Sequence, residues 1–213
     1  MNLLPVSVNI QDRPVLVIGG GSVALRKIRR LIRFGARVVV VSPELLPPLS
    51  RLAASGRILW KRSVYRGPEF KSVRPVLAFA CTDSPETNRR VVRDAATSGT
   101  WINSVDSPDE SSIHIPATAR IGGVTLAIFS GGLAPVFVTY LRKRIEQVLG
   151  PKIRNELHLL VWFRRHLREK VSSPSRRKRI LTRLVEDGTL DRLAALPPRH
   201  RRPAMMRCLE DRV

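Results

Sequence analysis

The sequence predicts an α/β fold: a doubly wound parallel sheet, then a small strand-strand-helix unit and a helical C-terminal region. Three observations lead there. Short apolar, β-branched runs alternate with stretches of helical periodicity over the first hundred or so residues, the pattern of parallel strands joined by crossover helices. The first of these runs ends in three consecutive glycines that open a helix. Past Gly150-Pro151 the apolar runs give way to amphipathic helical spacing.

Residues 14–18 (PVLVI) form the first predicted strand, and Val23, Ala24, Leu25, Ile28, Leu31 and Ile32 recur at helical spacing after the glycines. Residues 37–41 (RVVVV) follow Gly35 as a continuous apolar run, a strand buried on both faces. A helix at 45–54, strands at 58–61 and 76–80, a helix at 85–97 and a strand at 101–105 continue the alternation. After Asp106 the rhythm changes. Strands at 113–117 and 124–129, joined through Gly122-Gly123, lead to a helix at 134–149 with Pro135 in its first turn. Such a unit is too small to bury its own core, so it needs another surface, a partner subunit being one candidate. Gly150-Pro151 reads as a helix stop, and the tail then shows helical periodicity at 153–171, 177–185 and 189–196. The domains expected are therefore 1–112, 113–150 and 151–213.

Of the 213 residues, 43% are apolar, enough for a sizeable core, and 38 Lys and Arg against 17 Asp and Glu give a net charge of +21. Polyanions are the partners such a charge attracts: nucleic acid, anionic membrane or a substrate with many carboxylates. The first 150 residues carry 21 basic and 10 acidic groups and the last 63 carry 17 and 7, so the nets of +11 and +10 make the tail far denser in charge. Cys81 and Cys208 fit neither a metal spacing nor a disulfide framework, which points to a reducing compartment and a cytoplasmic location. No run of about 18 apolar residues is present and the first residues lack the pattern of a signal peptide, so no membrane association is expected.

Gly19-Gly20-Gly21-Ser22-Val23-Ala24 fits G-x-G-x-x-A, placed between a buried strand and a helix. Gly19 permits the tight turn, Gly21 lets the backbone approach a pyrophosphate, and Ala24 is small enough for close helix-to-strand packing. The amides of Ser22 and Val23 open the helix, where free N–H groups favour a phosphate. The sheet therefore reads as Rossmann-like and the cofactor as a dinucleotide. An acidic residue about twenty positions on would face the ribose; here the second strand ends Val41-Ser42-Pro43-Glu44, so Ser42, Pro43 and Glu44 are candidates and NAD is preferred to NADP. Glu44 also suits an exposed first helical turn. Arg26 and Lys27 suit a phosphorylated ribose less well than a solvated helix face.

These residues, with Ala80-Cys81-Thr82-Asp83 and Asn88, Ile102-Asn103-Ser104-Val105-Asp106, Ile115-Pro116-Ala117 and Ser130-Gly131-Gly132 with Pro135, stand in an order and at separations that resemble the precorrin-2 dehydrogenase and sirohydrochlorin ferrochelatase family. The resemblance covers roughly residues 1–150 and is to the stand-alone form, without a methyltransferase module. It implies NAD-dependent oxidation of precorrin-2 to sirohydrochlorin, ferrous iron as a further substrate in some members, and a homodimer sharing the unit after Asp106. It carries the family's key aspartate onto Asp106, placed at the carboxyl end of a strand, where a carboxylate can take a proton. A capping Asp before Ser107-Pro108 is the structural alternative. Thr82 and Asp83 end another strand beside the cofactor, and Asp83 is also a candidate N-cap for the helix beginning at Pro85.

Ser130, Gly131 and Gly132 precede a helix and are candidates to hold a substrate carboxylate, against a plain helix-opening turn; the resemblance also makes Ser130 a candidate phosphorylation site. His114, in the predicted strand at 113–117, reads first as a packing histidine and second as a substrate contact. It stands where the family more often has an aromatic, and Phe129 stands where it has small hydroxyl residues, which places the local substrate contacts in question. His158, His166 and His200 read as surface residues. No metal-ligand spacing occurs, so no resident metal is expected. The rival reading is an NAD-sensing Rossmann protein that binds nucleic acid through its basic tail; with 5% aromatic residues the chain has few stacking platforms, and nucleic acid is not the expected partner.

Overall fold

The computed structural model describes residues 3–210, with the side chains of 209 and 210 left aside. Five strands, β1 (Pro14–Ile18), β2 (Arg37–Val41), β3 (Leu59–Lys61), β4 (Leu77–Ala80) and β5 (Trp101–Ser104), form one sheet in the order β3-β2-β1-β4-β5. All four pairings are parallel. Because strands in such a sheet alternate side chains between two covered faces, β1 and β2 are apolar at every buried position. Val15, Val17, Val38, Val40, Leu77 and Phe79 face α1 (Ser22–Arg33) and α2 (Pro47–Ala54), packing on Ala24, Ile28, Leu31 and Leu49. Leu16, Ile18, Val39, Val41, Ala78 and Ala80 point the other way, onto Val91 and Ala95 of α4 (Pro85–Thr97) and Phe70 of α3 (Glu69–Val73).

Two elements of this unit escape the periodicity argument. Helix α3 is a five-residue turn, too short to show a period, and the one-turn 3₁₀ helix Pro108–Glu110 is shorter still. The expected strand at 113–117 is not formed. Pro116 has no N–H to give a ladder, and the Ile113 amide donates to the Ile102 carbonyl at 3.1 Å, so this stretch runs as an extended tether beside β5. The first strand of the hairpin starts only at Ala117, the last residue of that stretch.

That hairpin, β6 (Ala117–Ile121) and β7 (Val124–Ile128), is antiparallel, with Ile121 opposite Val124 across Gly122-Gly123. Helices α5 (Pro135–Val148), α6 (Gly150–Lys170), α7 (Pro174–Glu186), α8 (Thr189–Ala195) and α9 (Pro198–Glu210) follow. The chain divides into compact units at Ile115/Pro116, residues 4–115 forming one and 116 onward belonging to the other. No separation appears at Gly150: Pro151 merely starts α6 directly after α5, and Leu157 of α6 lies against the hairpin turn at Gly122. The hairpin and the tail are thus one body rather than the two expected.

Its core comes from Leu159, Phe163 and Leu167, one helical turn apart on α6, with Ile180, Leu184, Leu190, Leu193, Ala194 and Met205 from the next three helices. Helix α9 was not expected, because two prolines and four basic residues mask it. Pro198 occupies its first turn and Pro203 interrupts one hydrogen bond, while Met205 anchors it. Phe163→Ala should cost about 3–5 kcal/mol, read as a lowered urea midpoint of the far-ultraviolet signal.

Candidate cofactor and proton-transfer site

Parallel pairing places the carboxyl ends of β1, β2, β4 and β5 along one sheet edge, and connections leave to opposite sides of β1 and β4, the place where such sheets bind ligands. Gly19 follows β1 with φ +116°, and a Cβ there would stand 2.4 Å from the Cys81 carbonyl oxygen after β4. Only glycine allows this approach of two strand ends. Gly21, by contrast, faces open space: an added Cβ meets nothing within 4 Å. The first bond of α1 runs from Leu25 N–H to Gly21 O at 2.9 Å, so the amides of Ser22, Val23 and Ala24 precede the helical ladder. No side chain caps this end and no acidic residue lies in its first turn. Ala24 is fully buried against the sheet, the close packing its size was expected to permit.

Ser42, Pro43 and Glu44 lie beside this turn, since the Leu46 amide donates to Gly20 O at 3.0 Å. Ser42 is buried and donates its hydroxyl to the Glu44 carbonyl at 2.6 Å, which makes it a loop brace; Pro43 and Glu44 are exposed, and the helix begins only at Pro47. A dinucleotide fits these residues: the open ground before Gly21 would admit a pyrophosphate, and the exposed Glu44 would be available to a ribose.

Asp106 lies two residues past β5. Its Oδ1 accepts from the Ser104 hydroxyl at 2.7 Å and its Oδ2 from Asn88 Nδ2 at 2.9 Å. Desolvation opposes ionisation, but the bonds from Ser104 and Asn88, its own backbone amide and the charge of Arg89 together hold the carboxyl below the usual aspartate range. It does not cap the turn that follows, where Ser107 is the N-cap residue. Asn88, fully buried on α4, also donates to Thr82 O at 3.0 Å and accepts from Thr82 N at 3.2 Å and Thr82 Oγ1 at 2.8 Å. Thr82 is thereby tied to α4. Asp83 is exposed, and Ser84, not Asp83, caps that helix by accepting from Thr87 N. Cys81 is buried, which pushes its thiol up to about 11 against the pull of Lys27 and Arg26.

Lys27 departs from the solvated face expected of it. Its ammonium donates to Asn103 Oδ1 at 2.6 Å, lies 5.1 Å from the centre of the Phe79 ring, and has its pKa lowered by burial and by Arg26 and Arg30. Asn103 in turn donates to Ile113 O at 3.0 Å, binding the tether to β5. The pairing of Lys27 with Asn103 escapes a sequence reading because the two are 76 residues apart, whereas Ser104 stands only two residues before Asp106. Asn88 stands among the residues of the family resemblance, but its bond to Asp106, 18 residues on, appears only in the structure.

His114 is half-buried in the tether rather than in a strand. His166 is half-buried too, not a free surface residue, and stacks on Trp162 with ring centres 5.0 Å apart. Ser130 accepts from Ala134 N at 3.2 Å, bracing the turn before α5, and Gly131 and Gly132 are exposed with positive φ. Two surface hollows, one with Ile58 and Trp60 and one with Pro75 and Thr100, open where strands enter the sheet, at the edge opposite the glycine turn. Among the described residues, no group of three or more His, Cys, Asp and Glu could hold a metal ion and no helix is long and apolar enough to cross a membrane.

A siroheme synthase of Methylobacillus flagellatus is 36% identical over 178 residues, 84% of this chain and 38% of that protein. Siroheme synthase 2 of Aeromonas salmonicida is 36% identical over 190 residues, 89% of this chain and 39% of that protein. The chain thus spans about two fifths of the length of these relatives. In fold it is similar to a solved structure of "SirC, precorrin-2 dehydrogenase", with a TM-score of 0.76, 21% identity and coverage of 98% of this chain and 100% of that one. The family model described as "Putative NAD(P)-binding" matches residues 6–117, more than half of the sequence and the whole glycine turn, sheet and Asp106 edge. The chain belongs to this NAD(P)-binding family.

Proposed function

We propose that this protein is an NAD-dependent precorrin-2 dehydrogenase that forms sirohydrochlorin on the route to siroheme. The observation that carries the proposal is the Asp106 carboxylate, held through both oxygens at the sheet edge and joined by Asn88 to the Thr82 turn that follows the Cys81 contact with Gly19. Relatives named siroheme synthase supply the substrate class. Oxidation of the macrocycle removes a hydride and a proton. Bound NAD supplies the hydride acceptor. Asp106, ionised, takes the proton, and the amides opening α1 hold the pyrophosphate. Glu44 binds the ribose hydroxyls and disfavours a 2′-phosphate, hence NAD rather than NADP. Thr82 and Asp83 form the cofactor-side turn.

The acetate and propionate groups of precorrin-2 suit a chain of net charge +21. Ser130, Gly131 and Gly132, before α5, are candidates for its carboxylates; His114, a packing histidine first, is a substrate contact only second. Ferrous iron enters as a second substrate, with the tetrapyrrole as its main ligand.

The test is anaerobic precorrin-2 with NAD or NADP, followed by sirohydrochlorin absorbance; no turnover with either cofactor overturns the assignment. Adding ferrous iron to the product reads chelation separately. The rival, nucleic-acid binding through the tail, predicts salt-steep binding of duplex DNA without turnover.

A homodimer is part of the same proposal. Leu133, Val136, Phe137 and Tyr140 form an apolar stripe on and before α5, and Leu133 and Val136 are 92% and 84% exposed. The double substitution Phe137→Glu with Tyr140→Glu should halve the mass seen by light scattering after size exclusion while leaving the helical content intact. An unchanged mass would remove α5 from the interface.

A further inference from the structure

We propose that Asn88 is a positioning residue that couples the Thr82 turn, on the cofactor side, to the Asp106 carboxylate, on the proton-accepting side. This rests on the role given above to Asp106 and adds the part that orients it. The Asn88 side chain is fully buried, and its hydrogen-bonding capacity is used completely: two donations from Nδ2, to Thr82 O and Asp106 Oδ2, and two acceptances at Oδ1, from Thr82 N and Oγ1. Three of the four bonds go to one residue of the turn after β4, and the fourth goes to Asp106, two residues past the end of the neighbouring strand β5. The amide therefore locks the carboxylate to the turn rather than to its own helix. With Ser104 on the other oxygen, both carboxylate oxygens are held from two different elements, so the group cannot rotate without breaking a bond.

Only an amide satisfies this pattern. Oδ1 must accept twice and Nδ2 must donate twice, and a carboxylate at the same place would set two anions against each other. The other charged or titratable groups acting on Asp106 are Arg89, on α4, and the Cys81 thiol, at the end of β4. Ser104 and Asn88 are neutral, so the orientation depends on hydrogen bonds and not on an ion pair. A cofactor seated against Thr82 acts on the base through this side chain, without touching it.

The test uses the full chain in three forms. Asn88→Ala should lower kcat about 10- to 10²-fold through misplacement of the base, with KM for NAD little changed, and should move the acidic limb of the rate profile to higher pH. Asn88→Asp, which keeps the volume, should move that limb further, because two facing carboxylates share one proton. In the unliganded protein, carboxyl-carbon NMR should show the Asp106 titration displaced upward in both variants. The exchange Asn88→Asp with Asp106→Asn restores an amide facing a carboxylate, and should recover only part of the melting temperature lost in Asn88→Asp, because the Thr82 carbonyl still lacks its donor, without recovering turnover. If turnover falls in Asn88→Ala and Asn88→Asp while the acidic limb and the NMR titration stay in place, Asn88 is only a packing residue and the proposal is wrong. Full turnover in Asp106→Asn would instead overturn the role of Asp106 itself, so the two failures are distinguishable.

Discussion

Asp106→Asn is expected to reduce oxidation of precorrin-2 by about 10²–10⁴-fold in kcat, the usual worth of a positioned general base, with NAD affinity unchanged. The substitution is isosteric. Its carbonyl oxygen can still accept from Asn88 Nδ2, and the Ser104 hydroxyl can turn to accept instead of donate, so the local structure should persist. What disappears is the basic oxygen. Calorimetric titration with NAD separates loss of chemistry from loss of binding, and full turnover would show that the proton leaves by another path. The same residue sets a pH dependence of stability. Because its pKa is depressed in the folded state, Asp106 stabilises the fold above the ordinary aspartate range, and that contribution is lost as pH falls through the depressed value. Asp106→Asn should therefore flatten the acid side of a melting-temperature profile.

The glycine turn gives a second large effect, in two contrasting substitutions. Gly19→Ala sets a methyl 2.4 Å from the Cys81 carbonyl oxygen and 2.7 Å from its carbon, at φ +116°. Backbone strain alone is worth about 1–3 kcal/mol, and the strand ends must also part, so the sheet unit should melt far lower or fail to fold. Gly21→Ala meets nothing within 4 Å, at an ordinary φ of −86°, and should change stability by less than about 0.5 kcal/mol. Its methyl occupies the ground a pyrophosphate needs, so NAD affinity should fall about tenfold or more, equivalent to about 1.4 kcal/mol. Thermal melts and NAD titrations of the two variants check both halves. Equal NAD affinity in Gly21→Ala would move the phosphate site elsewhere.

Much of the site was legible in the sequence because its parts are local. The glycines sit between a buried strand and a helix, and Asp106 follows an apolar run, so position along the chain already implies position on the sheet edge. The departures come from side chains whose partners are distant. Lys27 reads as a surface cation by composition, yet Asn103, 76 residues away, draws it inward. Ser42 is one of three candidates for the ribose, and only the structure shows that its hydroxyl proton goes to the Glu44 carbonyl. Residues 113–117 have the apolar content of a strand, but Pro116 and the bond from Ile113 to Ile102 make 113–116 a tether, and strand pairing begins only at Ala117.

Sequence alone determined the parallel sheet, its glycine turn and the carboxylate at its edge, since period and punctuation are properties of neighbouring residues. The tertiary structure decided how that carboxylate is held, where the chain divides and that the hairpin and tail share one body. Those outcomes depend on burial and on hydrogen bonds between segments far apart in the chain, such as Asn88 to Asp106 or Leu157 to Gly122, and no local pattern encodes them.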